Sequence, residues 1–331
     1  MRRLVERLGA ELQPTVSRSV WTNVYGSART LIALGSLGTL LFTSTTSMFT
    51  PAQGMPDSPY CSGVARASLF CLVPGDRLEV ARWLSIAVLG LAASGWRPRW
   101  TAVPHWWVAF GLATTPTIPD GGDQIAMNMT LLLLPIALAD GRRWHWDRGP
   151  AVVPAGRQLT SLVSWSAGLV IRLQVAGLYF QACVAKLSHD EWANGTALYY
   201  WMSDPLFGLP NWVRPVMEPI LLSSVGVQAI TWGALITEFC LFMGLTAKRS
   251  VRPWLLAAGF GLHLGIAVLM GLWSFSLAMM GCLVLYLRPL DLPWPAPGLV
   301  LARVSSLLRG RQRRTPVRAH SVLALERSDQ A

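Results

Sequence analysis

Long apolar runs separated by short polar segments dominate this chain, and their length predicts helices rather than strands. Runs of spanning or near-spanning length fall at roughly 27–49, 81–96, 102–115, 124–140, 163–187, 220–246, 253–271 and 274–289. A hydrocarbon layer of about 30 Å takes about 20 helical residues, fewer where flanking side chains snorkel. The runs at 81–96 and 102–115 are the shortest, and read either as full spans or as a tilted, partly re-entrant pair. The pattern predicts an all-α, polytopic integral membrane helix bundle of about eight transmembrane helices. Residues 1–20 read as a basic amphipathic cytoplasmic segment, 21–290 as the transmembrane domain, and 291–331 as a flexible arginine-rich cytoplasmic tail. No cleavable signal peptide is visible. No internal repeat is visible either, which removes the main support for a transporter.

The polar segments test that division. Arg2, Arg3, Arg7 and Arg18 precede the first run, and Asp57, Asp76 and Glu79 outnumber Arg66 and Arg77 after it. Basic and acidic segments then alternate: Arg97 and Arg99; the turn "TIPDGGD"; Arg142, Arg143, Arg148 and Arg157; the acidic stretch 188–219; "KRSVR"; a short turn near Trp273; and the arginine-rich tail. The positive-inside rule then expects both termini in the cytoplasm of a cell (plasma or inner) membrane. Mean hydropathy of +0.41, 14% charged residues and sixteen tryptophans agree with a chain in contact with the lipid bilayer. A net charge of +11 raises the question of nucleic acid. The arginines sit in short clusters between apolar runs, which suits anionic head groups and excludes a phosphate-tracking groove.

Polar side chains inside the runs are the candidate chemistry, because each costs at least about 2.5 kcal/mol to insert. The fifth run holds most of them. At helical spacing Arg172, Ala176, Tyr179, Cys183 and Lys186 share one stripe, with Gln174 and Gln181 on the far side. Polarity on two faces predicts that this is the central helix of the bundle. Glu238 and His263 lie in the sixth and seventh runs. Glu238 reads as an ion-pair partner of Arg172 or a member of a proton relay, and His263 as a neutral, hydrogen-bonded histidine or a functional one. Only Lys186 and Lys248 among 28 basic residues are lysines. Lys186 stands at the outer end of its run, where it either snorkels or, desolvated, offers an amine able to take a proton. Asp120 and Asp123 are placed to cap the fourth helix. No Asp, Glu or His cluster has ligand spacing, so no metal is expected.

The segment "YFQACVAKLSHDEWANGTALYYW" resembles the core signature of the horizontally transferred transmembrane domain superfamily, to which vitamin K-dependent gamma-carboxylase belongs. Its residues here are Tyr179, Cys183, Lys186, Leu187, Trp192, Gly195, Tyr199 and Tyr200. Within that group the chain is more similar to the sporulation-delaying protein B family of bacterial antimicrobial-peptide systems. That likeness rests on 21–42, on the cysteine pair ending in "SLFCL", on 118–146 and on 179–201. The resemblance implies a multipass protein that matures a secreted toxin peptide together with a partner protein of the same system. By position Lys186 matches the carboxylase base, with Tyr179, His263 and Glu238 as its candidate catalytic companions. Trp192, Gly195, Tyr199, Asp120, Asp123, Asn128 and Arg172 are supporting positions. The carboxylase has a histidine after the asparagine matched by Asn128, but here Met129 follows, and no counterpart of its large lumenal domain is expected. A carboxylase-like membrane enzyme would therefore run altered chemistry, and a quinone-type cofactor is implied by analogy alone.

Two further readings stay open. One is a non-enzymatic membrane chaperone, scaffold or immunity factor for the peptide; the other is a quinone-dependent carboxylase- or epoxidase-like enzyme. Cys61 and Cys71 share the first acidic segment. They read as a disulfide, a structural staple rather than a redox pair, because their spacing is far longer than C-x-x-C. If the pair is bonded, the double variant C61S/C71S is expected to lose about 2–3 kcal/mol of stability. Denaturant unfolding with and without reductant measures this, and the variant should abolish the reductant effect.

Overall fold

A computed structural model describes residues 11–295, apart from 12, 52, 55, 56, 119, 151 and 206. Most of the expected basic segment 1–20 and of the tail 291–331 lies outside the described residues; within the former, residues 13–16 are helical. The structure is all-helical, and the two β-type pairings among the described residues are isolated bridges, Arg18 with Val152 and Trp96 with Trp144. Eight longer helices occupy the eight apolar runs: α1 (Asn23–Phe42), α2 (Leu78–Ser94), α3 (Pro98–Thr114), α4 (Gly121–Leu138), α5 (Gln158–Leu187), α6 (Ser224–Met243), α7 (Arg252–Met270) and α8 (Trp273–Leu287). The stretches containing α4, α5, α6 and α7 are long and apolar enough to cross a membrane, and α8 is apolar but shorter.

Two boundaries differ from the sequence expectation, each for a local reason. The run 27–49 is not one helix. It breaks at Thr43, which is extended, and Ser44 starts a separate turn, Thr45–Met48, by accepting the Ser47 N–H. The hydroxyl-rich stretch "TSTTS" offers the backbone side-chain partners that compete with the helical ladder. The run 220–246 likewise divides at Ser223, whose hydroxyl accepts the Gly226 N–H and so caps α6. A short helix, Arg214–Leu222, precedes it.

The centre of the bundle is α8, which corrects the expectation that the fifth helix is central. From Gly281 to Leu287 every α8 residue is buried, and α8 packs on α1, α4, α5 and α7. By contrast α5 buries a single stripe that includes Ser161, Ser164, Gly168, Ile171, Val175, Tyr179 and Cys183. Gln174 and Gln181 face outward from the bundle. Amides on an outer face carry no information about centrality; small residues do, because they let helices approach closely. Gly281 lies against Ile32 and the Ala28 carbonyl, and Gly35 against the Ser274 carbonyl, so a side chain at either would force α1 and α8 apart.

One end of the bundle is basic, and a buried polar knot there went unread in the sequence. Arg29, 1% exposed within α1, donates from Nη2 to Thr101 Oγ1 at 2.8 Å. Close by, Arg142 grips the buried Asp140 with Nε and Nη2 at 2.9 and 2.7 Å. His145 is fully buried, with Nε2 3.2 Å from Thr30 Oγ1 and its ring edge-on to Trp146 and Tyr25. At the acidic end the Cys61–Cys71 disulfide spans the loop above Phe70, which stacks on Phe49 and sits in a cluster with Leu40, Leu89 and Leu112.

His145 lies in the segment between α4 and α5, and burial first, then Arg29 and Arg142, pushes its pKa down to about 3. It is neutral when folded and titrates near 6.5 when unfolded. The unfolded state therefore binds the extra proton between about pH 6.5 and 3, and this contribution to stability is lost as pH falls through that window. The variant H145Q is expected to flatten the fall in thermal unfolding temperature across that range while lowering stability at pH 8.

Candidate functional site

The site is built where α5 ends early. Cys183 Sγ meets the Leu235 carbonyl at 3.9 Å, and α6 continues beyond that level toward its own N-terminus. The segment after α5 fills the gap by following α6 backwards. Gly195 lies against Trp232, the Leu198 N–H reaches Thr231 Oγ1 at 3.4 Å, and Met202 packs with Val227. Gly195 is required at this turn on two counts. Its φ is +84°, and a Cβ there would stand 2.9 Å from Trp232 Nε1. Short helices Asp190–Ala193, Ala197–Ser203 and Arg214–Leu222 thus form a roof over a cavity of about 600 Å³.

Lys186, Tyr179, Glu238 and His263 all line that cavity, from α5, α6 and α7. Lys186 Nζ donates to Glu238 Oε1 at 2.5 Å, with side chains 26% and 11% exposed. The Lys186 ammonium also stands 5.2 Å from the centre of the Trp192 ring, within cation–π range. Beside this pair Tyr179 Oη and His263 Nε2 share a hydrogen bond of 2.9 Å, in which either can donate. Glu238 Oε2 and His263 Nδ1 are buried and bond to no protein atom. Those two atoms, and the pair beside them, are what the protein presents to an occupant.

The expected Arg172–Glu238 ion pair is absent; Glu238 pairs with Lys186. Arg172 lies two turns of α5 before Tyr179 and instead joins other arginines at the basic end. Lys186 stands in the last turn of α5, at the end of its run as expected, but under the roof and facing Glu238 in the second half of α6. Asp120 takes the N-cap position of α4, but Asp123 does not cap; it turns into the bundle and accepts from Ser36 Oγ at 2.7 Å. Asn128 is exposed and donates to the Gln124 carbonyl of its own helix, and Tyr199 stacks edge-on with Tyr200 outside the cavity. Sequence reasoning missed Met202, Met217, Phe275 and Met279 as lining residues. For Met202 the available signal was its place in the aromatic run "YYWM" of the roof; Phe275 and Met279 of α8 carried none. Among the described residues no group of three or more His, Cys, Asp or Glu side chains is assembled for a metal.

Apart from Thr237 the rest of the lining is mostly apolar, with Leu198, Ile230, Leu262, Ile266 and Leu269 among it. Between α6 and α7 the wall consists of small residues, Gly233, Ala258 and Gly261, which are themselves exposed on the bundle's side. The cavity therefore opens sideways as well as beneath the roof.

Two proteins of Bacillus subtilis (strain 168) are similar along most of this chain. Sporulation-delaying protein SdpB is 34% identical over 275 residues, 82% of this chain and 83% of its own. The chain belongs to the sporulation-delaying protein SdpB family. The uncharacterized protein YitO is 42% identical over 276 residues, 83% of this chain and 88% of its own. No family profile and no solved structure matches the chain. The lysine–glutamate pair thus sits in an SdpB-family protein with membrane-length apolar helices.

A half-buried pair is costly to break, since either partner alone leaves a charge facing apolar walls. K186M and E238Q are each expected to lower stability by about 1–3 kcal/mol, and K186M/E238Q to cost less than their sum. Thermal unfolding in detergent checks this; additive losses would mean the two groups do not interact.

Proposed function

We propose that this protein takes part in maturing a secreted toxin peptide, acting in the cell membrane with eight helices across it and both termini in the cytoplasm. The reading extends the SdpB relationship and the resemblance to the horizontally transferred transmembrane superfamily. The observation that carries it is the Lys186–Glu238 pair facing an apolar cavity, with Tyr179 and His263 beside it.

The geometry supports proton transfer better than mere neutralisation. An ammonium in contact with a carboxylate has a second seat for its proton, and the two forms of the pair carry the same net charge. With the proton on Glu238, Lys186 presents a free amine to the cavity and acts as base; Glu238 holds the proton for return. Trp192 sets the position of Lys186 from the roof, and Tyr179 with His263 lines the wall beside the pair. A peptide segment in extended form, with apolar side chains against Leu262 and Ile266, suits this lining. The partner protein and any quinone-type cofactor belong to the same proposal by analogy with the family.

Replacing Lys186 separates charge from proton transfer, because arginine keeps the charge and stays protonated at every working pH. In the native host, K186A and K186R are both expected to remain in the membrane at wild-type level and to abolish one matured peptide, read by intact-mass spectrometry of the culture medium. A deletion that leaves the secreted peptides unchanged would overturn the maturation reading. Normal peptide from both lysine variants, with loss only on deletion, would make the protein a scaffold or chaperone instead.

A further inference from the structure

A second cavity, of about 230 Å³, lies at the basic end. Five arginines line it: Arg18, Arg172, Arg249, Arg252 and Arg288, from the segment before α1, from α5, from the α6–α7 turn, from the start of α7 and from just after α8. One carboxylate joins them, Asp291, and it is paired with Arg18 at 3.4 Å. Guanidinium groups brought together from five parts of the chain repel one another unless an anion shares their space. Among the described residues no carboxylate pairs with Arg172, Arg249 or Arg252. Arg172 Nε, moreover, is buried and donates to no protein atom. Arg252 spends its Nε on the Ala247 carbonyl at 3.1 Å, which holds the head of that side chain in place.

The rest of the wall decides the kind of anion. Trp165, Leu169, Leu285 and Leu290 form an apolar side, and Leu169 is more than half exposed on the outer face of α5. Trp165 anchors to the Arg18 carbonyl through Nε1 at 3.2 Å, and indole rings favour the depth of lipid head groups. A ligand matching both sides carries a phosphate at one end and hydrocarbon at the other. Planar forked donors are suited to phosphate oxygens, which accept two parallel N–H bonds from one guanidinium.

We infer that the arginine-lined cavity is a binding site for a phosphate-bearing anion, the head group of an anionic phospholipid whose acyl chains lie along Leu169. The site is separate from the lysine–glutamate cavity and stands whether or not that cavity is catalytic.

The test uses the full chain purified in a non-ionic detergent. Native mass spectrometry and thermal unfolding are read on adding phosphatidylglycerol, phosphatidylcholine or inorganic phosphate. Phosphatidylglycerol is expected to stay bound one-to-one and raise the unfolding temperature, while phosphatidylcholine does neither. In R172Q/R252Q retention should fall at least tenfold, with R172K intermediate and the control R148Q, away from the cavity, equal to wild type. Size-exclusion profiles confirm that the variants are folded. Equal stabilisation by inorganic phosphate, lost in R172Q/R252Q, would overturn the lipid assignment and give the site to a soluble phosphate. Equal phosphatidylglycerol retention by wild type and R172Q/R252Q, or none by wild type, would overturn the site itself.

Discussion

The close approach of α8 to α1 is the contact on which the rest of the bundle depends. In hydrocarbon there is no gain from hiding apolar surface from water, so helices associate through packing and polar contacts. Gly281 and Gly35 supply the packing by letting backbone meet backbone and side chain directly. Held there, α8 touches α1, α4, α5 and α7, and so fixes the distances between helices that are far apart in sequence. Its two ends also serve the two cavities. Phe275 and Met279 face the lysine–glutamate site, whereas Leu285 and Arg288 face the arginines.

Around that centre, buried polar groups are answered in pairs drawn from different elements. Asp123 of α4 takes the Ser36 hydroxyl of α1, Arg29 of α1 takes Thr101 of α3, and Lys186 of α5 takes Glu238 of α6. Each pair costs desolvation and offers little net stability, yet each penalises a misaligned neighbour by stranding a polar group. Other buried polar atoms, such as Tyr25 Oη, Ser85 Oγ and His105 Nε2, hydrogen-bond to no protein atom; among these unpartnered atoms, Glu238 Oε2, His263 Nδ1 and Arg172 Nε belong to residues that line the two cavities.

Much of the helical plan was legible because apolar length is a strong signal: each of the eight runs overlaps one of the longer helices. The breaks were not, since Thr43 and Ser223 act through side-chain hydrogen bonds that a hydropathy pattern does not see. The convergence of Lys186, Tyr179, Glu238 and His263 was legible only as four separate oddities in apolar runs. Their pairing was misread, because sequence offers no way to choose between Arg172 and Lys186 as the partner of Glu238. That choice is made by the relative height of α5 and α6, which the 188–223 roof sets. Arg29 escaped notice for a related reason: in "SARTLIALG" an arginine near the start of an apolar run looks like a flank, and only the tertiary fold buries it.

The sideways opening between α6 and α7 has a consequence for how an occupant would arrive. Both helices are of membrane-crossing length and composition, so in a bilayer a gap bounded by Gly233, Ala258 and Gly261 would border acyl chains rather than water. Delivery through such a gap is a two-dimensional search. What counts is then the partition coefficient of the molecule between water and bilayer, which multiplies its local concentration before it meets the protein. An oily molecule dilute in the medium would be abundant at this doorway, and weak intrinsic affinity would be enough to fill it.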